Sequence, residues 1–203
     1  MLCTSYSLFC FSFLNFSFCP TANVTLDPYT AGCWLFLSED HKSVRLRDEL
    51  PDLLDNPDNP ERFSNQFCIL GLEGFTRGRH FWEVVVEGEG NWFMGVARKS
   101  VRRKDPVCIG PEGGIWAVGK WMDRHSLSIN PLSSALSLSR KAKRVRVCLN
   151  FAANQVAFYN ADTGDQIHIF SEVPFSGETV LPFFYVDIKC NLRISSSNSQ
   201  AHL

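Results

Sequence analysis

From residue 24 onward, apolar residues recur at every second position in short runs and nowhere keep the three-to-four-residue spacing of an amphipathic helix. Arg144-Val145-Arg146-Val147-Cys148-Leu149-Asn150-Phe151 is the cleanest run, with Val145, Val147, Leu149 and Phe151 on one side and Arg144, Arg146 and Asn150 on the other. A period of two fits an extended chain that buries one face. His80–Glu87 repeats the pattern with Trp82, Val84 and Val86. Gly88-Glu89-Gly90 then leads into Asn91–Ala97, which reads as a hairpin. Ala152-Ala153-Asn154 and Asp162-Thr163-Gly164-Asp165 separate two further runs, Gln155–Asn160 and Gln166–Phe170. Short strands with turn signals between them predict an all-β fold, an antiparallel sandwich or barrel. The acidic, proline-rich stretch from Asp48 to Arg62 breaks the pattern and reads as a surface connection. No internal repeat and no linker between two cores is visible.

The 203 residues suit one medium domain, or a domain with a tail. An apolar share of 45% with 13% aromatic residues excludes a disordered, collagenous or coiled-coil chain. A formal net charge of −1 argues against nucleic acid as a partner, since such binders carry a basic excess. All charged residues lie in 27–203, and the first twenty are built largely from Phe, Ser, Leu and Cys. Two readings of residues 1–22 stand. One is a secretory signal, although the positive n-region is missing. The other is a gene-model artefact, a pyrimidine-rich intron end read as coding sequence. Either way the segment is expected to lie outside the fold, and polar interruptions argue against a transmembrane helix. Asn23-Val24-Thr25 is a glycosylation sequon that matters only in the secretory pathway.

Chemistry is sparse. Beyond the leader, Cys33, Cys68, Cys108, Cys148 and Cys190 are odd in number and far apart, with no C-x-x-C. They read as reduced, partly buried thiols of a reducing compartment, with no metal site and no cofactor. Nucleophile-elbow, phosphate-loop, dinucleotide and zinc-protease motifs are all absent. Asp123-Arg124-His125-Ser126 holds catalytic residue types, but neighbouring side chains on an extended segment diverge, so a relay is not expected. His80 reads as a structural histidine. Nothing points to an enzyme.

Two basic clusters remain: residues 98–104 hold five cations in seven (Arg98, Lys99, Arg102, Arg103, Lys104), and 140–146 hold five more (Arg140, Lys141, Lys143, Arg144, Arg146). They are either an anion-recognition surface or charges that keep strand edges soluble. The acidic 39–61 segment is placed to neutralise one of them.

Several segments, in order and at matching spacing, resemble the PRY-SPRY domain family. Val24-Thr25-Leu26-Asp27-Pro28, Leu37-Ser38-Glu39-Asp40 and Asp58-Asn59-Pro60-Glu61-Arg62-Phe63 look like the PRY portion. Gly78-Arg79-His80-Phe81-Trp82-Glu83-Val84, Trp92-Phe93-Met94-Gly95-Val96-Ala97, Pro111-Glu112-Gly113-Gly114-Ile115-Trp116 and Val156-Ala157-Phe158-Tyr159-Asn160 look like SPRY. The family includes the C-terminal domains of tripartite-motif ubiquitin ligases and butyrophilins and, more distantly, vespryns. One departure stands out: Leu149-Asn150-Phe151-Ala152 replaces the family's Leu-Asp-Tyr-Glu, which removes two carboxylates beside the second basic cluster.

The resemblance implies a bent two-layer antiparallel β-sandwich over 23–195, with a leader at 1–22 and a tail at 196–203. It implies a non-catalytic module that recognises a protein or peptide through a pocket of loops at one end of the sandwich. In a tripartite-motif ligase that module selects the substrate. Carried over by position, the pocket draws on Gln66, Arg98, Trp121, Arg124, Asp187, Ile188 and Lys189. Trp82, Trp92 and Trp116 are core positions. The alternative is a butyrophilin-type domain that senses a small phosphorylated anion, with Arg98, Arg102, Arg103 and Arg124 around it. Ligase activity belongs to RING zinc spacing, absent from this sequence. A cytoplasmic location follows, or a secreted one if residues 1–22 are a signal; the domain itself enters no membrane.

Overall fold

In a computed structural model, which describes residues 20–48, 59–64, 66–104, 107–120 and 142–196, eleven strands form two antiparallel sheets. The strands are β1 (Leu35–Leu37), β2 (Ser43–Leu46), β3 (Cys68–Leu70), β4 (Arg79–Gly88), β5 (Trp92–Arg98), β6 (Ile115–Lys120), β7 (Arg144–Asn150), β8 (Gln155–Asn160), β9 (Gln166–Phe170), β10 (Val180–Val186) and β11 (Cys190–Ile194). One sheet runs β1-β2-β11-β4-β7-β8-β9, the other β3-β10-β5-β6. This is the two-layer sandwich expected from the sequence.

Between the sheets lie Trp82, Val84 and Val86 from β4 and Val145, Val147 and Leu149 from β7, facing Met94 and Val96 of β5, Trp116 and Val118 of β6, and Phe184 and Val186 of β10. The alternation read from β4 and β7 therefore gives the inner face correctly. The smaller sheet is apolar on both faces. Its outer side chains, among them Phe93, Phe183 and Tyr185, pack with Phe63, Val101, Val107 and Ile109 in a second cluster. The loop after β5 and the segment before β3 thus cover the back of this sheet, which is why β10 is buried at every position.

One expectation needs correction. Gly88-Glu89-Gly90 does not close a hairpin, because β4 pairs with β11 and β7 while β5 pairs with β10 and β6. The turn is a corner at which the chain changes sheets. Its geometry demands glycine: Gly88 has φ +90°, and a Cβ there would sit 2.1 Å from the Lys189 carbonyl oxygen. Residues just before 23 also touch the larger sheet. Thr21 bridges Phe81 in parallel, and Ala22 N–H donates to Phe81 O at 2.7 Å.

Candidate functional site

The corner turn and the β10–β11 connection are built against each other. Asp187 N–H donates to Asn91 O at 2.9 Å, and the Asp187 carboxylate accepts from Asn91 Nδ2 at 2.9 Å and from Ile188 N–H at 2.7 Å. The Lys189 carbonyl accepts from the amides of Glu89 and Gly90 at 3.0 and 3.2 Å. Lys189 itself is held at φ +59°, a left-handed conformation that costs a non-glycine residue about 1 kcal/mol or more. Lys120 Nζ reaches Glu89 O at 2.7 Å and ties the end of β6 to the same corner. The result is a braced loop with Ile188 63% exposed at its tip. Beneath it, burial pushes the Cys190 thiol up to about 11, so it stays protonated and unreactive.

A groove of about 470 Å³ opens beside this loop, lined by Arg45, Leu46, Arg47, Asp48, Glu87, Gly88, Ile188, Lys189, Cys190 and Asn191. Arg45, Asn191 and Glu87 form a row across β2, β11 and β4, since Asn191 pairs with both of the others. Asn191 Nδ2 donates to Glu87 Oε2 at 2.8 Å, and Arg45 Nη1 to Asp48 Oδ2 at 2.9 Å. The sequence assigned none of Arg45, Leu46, Arg47, Asp48, Glu87 or Asn191 to a site.

The other expected site residues divide. Gln66 sits at the same end, two residues before β3, but only 6% of it is exposed, so it supports the loops from within. Arg98 is brought elsewhere. In β5 it pairs with Val180, whereas Trp92 pairs with Val186 beside the Asp187 loop. Six residues of strand, about 20 Å, separate the two ends. Trp121 and Arg124 lie outside the described residues.

The first basic cluster is drawn into the fold. Arg98 donates to Pro174 O at 2.8 Å and lies 5.4 Å over the Trp116 ring. Arg103 holds the Glu61 carboxylate, and Lys104 Nζ donates to Asn59 O and Arg62 O at 2.9 and 3.0 Å. Burial pushes the Arg103 guanidinium below its ordinary range, with the nearby Asp27 charge opposing. The cluster thus clamps the 59–62 segment over the second apolar cluster, as the acidic 39–61 stretch suggested. Only Lys99 and Arg102 extend from it without a described contact of their side chains. In the second cluster, Arg146 donates to Glu83 Oε1 through Nε and Nη2 at 2.9 and 2.6 Å, and Arg144 lies 3.6 Å from Glu83 Oε2 and 3.2 Å from Asp162 Oδ1. The corner that lost two carboxylates keeps these two, while Arg140 and Lys141 lie outside the described residues.

His80 takes its structural role, stacked on Phe75 at 4.1 Å with a ring nitrogen 2.8 Å from Arg77 O. The five described cysteines form no disulfide. Among the described residues no group of three or more His, Cys, Asp and Glu could hold a metal ion, and no helix is long and apolar enough to cross a membrane.

The SPRY domain model matches residues 79–198, and the SPRY-associated domain, PRY, matches residues 24–75. The chain belongs to the PRY-SPRY family. Butyrophilin subfamily 1 member A1 of Mus musculus is 43% identical over 167 residues, which cover 80% of this chain and 30% of the butyrophilin. The E3 ubiquitin-protein ligase TRIM58 of Mus musculus is 37% identical over 164 residues, covering 81% of this chain and 33% of the ligase. The chain therefore spans about a third of the length of the curated relatives it matches. A crystal structure of the TRIM65 PSpry domain superposes with a TM-score of 0.68 over 97% of this chain and 98% of that one, at 19% identity, a likeness of fold alone. A stonustoxin structure reaches a TM-score of 0.65 at 25% identity, covering 87% of this chain and 27% of that one. PRY-SPRY domains are protein-interaction modules. In this one the PRY portion is not a separate body: β2 joins the SPRY strands only through β11.

Proposed function

We propose that this PRY-SPRY domain captures a protein or peptide partner at the end of the sandwich that carries Asp187, Ile188 and Lys189, as the substrate-selecting part of a tripartite-motif ligase-like protein acting in the cytoplasm. One observation carries the reading: a large apolar side chain, Ile188, is displayed 63% exposed on a loop braced from both sides. Exposing an apolar residue while fixing the backbone beneath it lowers the ordering cost of association, the property that makes an interface anchor. Glycines at 88 and 90 keep the brace in place, because a Cβ at Gly90 would lie 1.9 Å from Ile188 O. Gln66 packs behind this surface, and Trp121 follows directly from Lys120, whose ammonium binds the corner. We include Trp121 and Arg124 in the site on that continuity.

The anion-sensing alternative has less support. Arg98 and Arg103, two of its four cations, already hold Pro174 O and the Glu61 carboxylate. Peptide-display selection on the purified domain tests the main reading. Enriched peptides should lose at least tenfold in affinity for Ile188→Asp while the melting temperature stays within about a degree, and should bind Arg193→Glu on the outer sheet face as well as the parent. Selected peptides that bind Ile188→Asp undiminished would place recognition elsewhere. A fluorescent fusion that fails to distribute through the cytoplasm would overturn the stated location.

A further inference from the structure

We infer that the groove beside Ile188 takes an extended peptide in which an apolar side chain is accompanied, within one or two positions, by a carboxylate; this rests on the loop-end reading proposed above. The groove's volume of about 470 Å³ falls in the range of side-chain-sized binding clefts. Its apolar contact comes from Ile188 and Leu46 over a floor that includes Gly88. A Cβ at 88 would meet the Lys189 carbonyl oxygen, so the lining carries no side chain there.

The charges around the groove decide the partner's polarity. Three cations (Arg45, Arg47, Lys189) line it against two carboxylates (Asp48, Glu87). Both carboxylates are already engaged, Asp48 by Arg45 and Glu87 by Asn191. Arg45 is further occupied by the Leu46 carbonyl and lies 4.7 Å over the Phe36 ring, and Arg47 Nε donates to Leu35 O at 3.1 Å. Lys189 differs: among the described residues its ammonium has no hydrogen bond and no ion pair. It stands directly beside the exposed Ile188, on backbone fixed by its own carbonyl. An apolar anchor and an uncommitted cation are thus one residue apart. A partner strand advances about 3.3 Å per residue, which sets the same close spacing for its own apolar and acidic groups. A basic peptide meets the opposite situation, with Lys189 repelling it beside Ile188 and the three lining cations outnumbering the two carboxylates.

The test uses the full chain and a display library of heptapeptides with a fixed central Leu and random flanks. On the parent protein, Asp and Glu should be enriched over Lys and Arg about fivefold at the one or two positions flanking the Leu, the size of a single exposed ion pair. Lys189→Glu should invert that preference with no change in melting temperature, and Ile188→Asp should remove selection altogether. Flanks that show no charge preference, with Ile188→Asp still abolishing selection, would overturn the carboxylate inference and leave the loop-end reading standing. Selection that survives Ile188→Asp would overturn both. A library that yields no binders on the parent protein would overturn the extended-peptide inference.

Discussion

Removing the Glu83 side chain tests how the outer face of the larger sheet is held. Glu83 is on the central strand β4 with only 8% of its side chain exposed, yet it is charged. It survives there because Arg146 on the paired strand β7 donates twice to one carboxylate oxygen and Arg144 approaches the other. Arg146 also lies 5.0 Å over the Phe81 ring, so the carboxylate fixes a cation that covers an otherwise apolar patch. Breaking a fully buried pair by deleting one partner costs about 3–5 kcal/mol. Here the surviving arginines are 28% and 40% exposed and can rehydrate in part, and Arg144 keeps Asp162. The expected cost of Glu83→Ala is therefore about 2 kcal/mol, below the fully buried case. With a urea slope of about 2 kcal/mol/M, the unfolding midpoint should fall by about 1 M at unchanged slope. A double-mutant cycle with Arg146→Ala should return a coupling of at least about 1 kcal/mol. A midpoint shift under about 0.3 M, or a coupling near zero, would refute the claim that this pair organises the face.

Trp82→Ala should cost about 3–5 kcal/mol by opening a cavity between the sheets and leave little folded protein by near-UV circular dichroism. Trp82→Phe should be much milder, because the indole N–H is buried with no hydrogen-bond partner among the described residues and its removal forfeits only volume. Lys189→Gly should raise stability by up to about 1 kcal/mol in thermal melts by relieving the left-handed backbone; a loss instead would mean that the side chain matters to the fold. Deleting residues 1–19 should leave the melting temperature unchanged within about a degree, whereas deleting 1–23 should lower it by several degrees through loss of the Ala22–Phe81 bond. Equal melting temperatures for the two truncations would show that residues 20–23 contribute nothing.

Strand positions and inward faces were legible in the sequence because a period of two is a local property. Val145, Val147 and Leu149 needed no knowledge of their partners to be placed. Which strands pair was not local. Gly88-Glu89-Gly90 has hairpin composition, and only the arrival of the Lys189 carbonyl against Gly88 turns it into a corner. The groove residues were hidden for the same reason. Arg45, Glu87 and Asn191 share a row only because β11 inserts between β2 and β4, joining positions more than a hundred residues apart. Ile188 and Lys189 came into view through family resemblance, while the exposure and backbone strain that single them out exist only in the folded loop. Arg98 shows the opposite failure: a cation beside a strand end looks available until its carbonyl acceptor, Pro174 O, is seen.

The placement of the last strand also governs when the protein can come into being. β11 forms at Cys190–Ile194 yet lies in the interior of the seven-stranded sheet, and it is the one strand that joins β1 and β2 to the rest of that sheet. A ribosome delivers the chain from its N-terminus, so β1 and β2 emerge early and can pair with each other, but β2 must wait for more than 140 residues before its second partner, β11, exists. Until then the second edge of β2 presents unpaired backbone to whatever is nearby. The appearance of β11, and not the synthesis of any earlier element, is therefore the step that commits this domain to its fold. A premature stop just before β11 should be as damaging as one that removes half the domain.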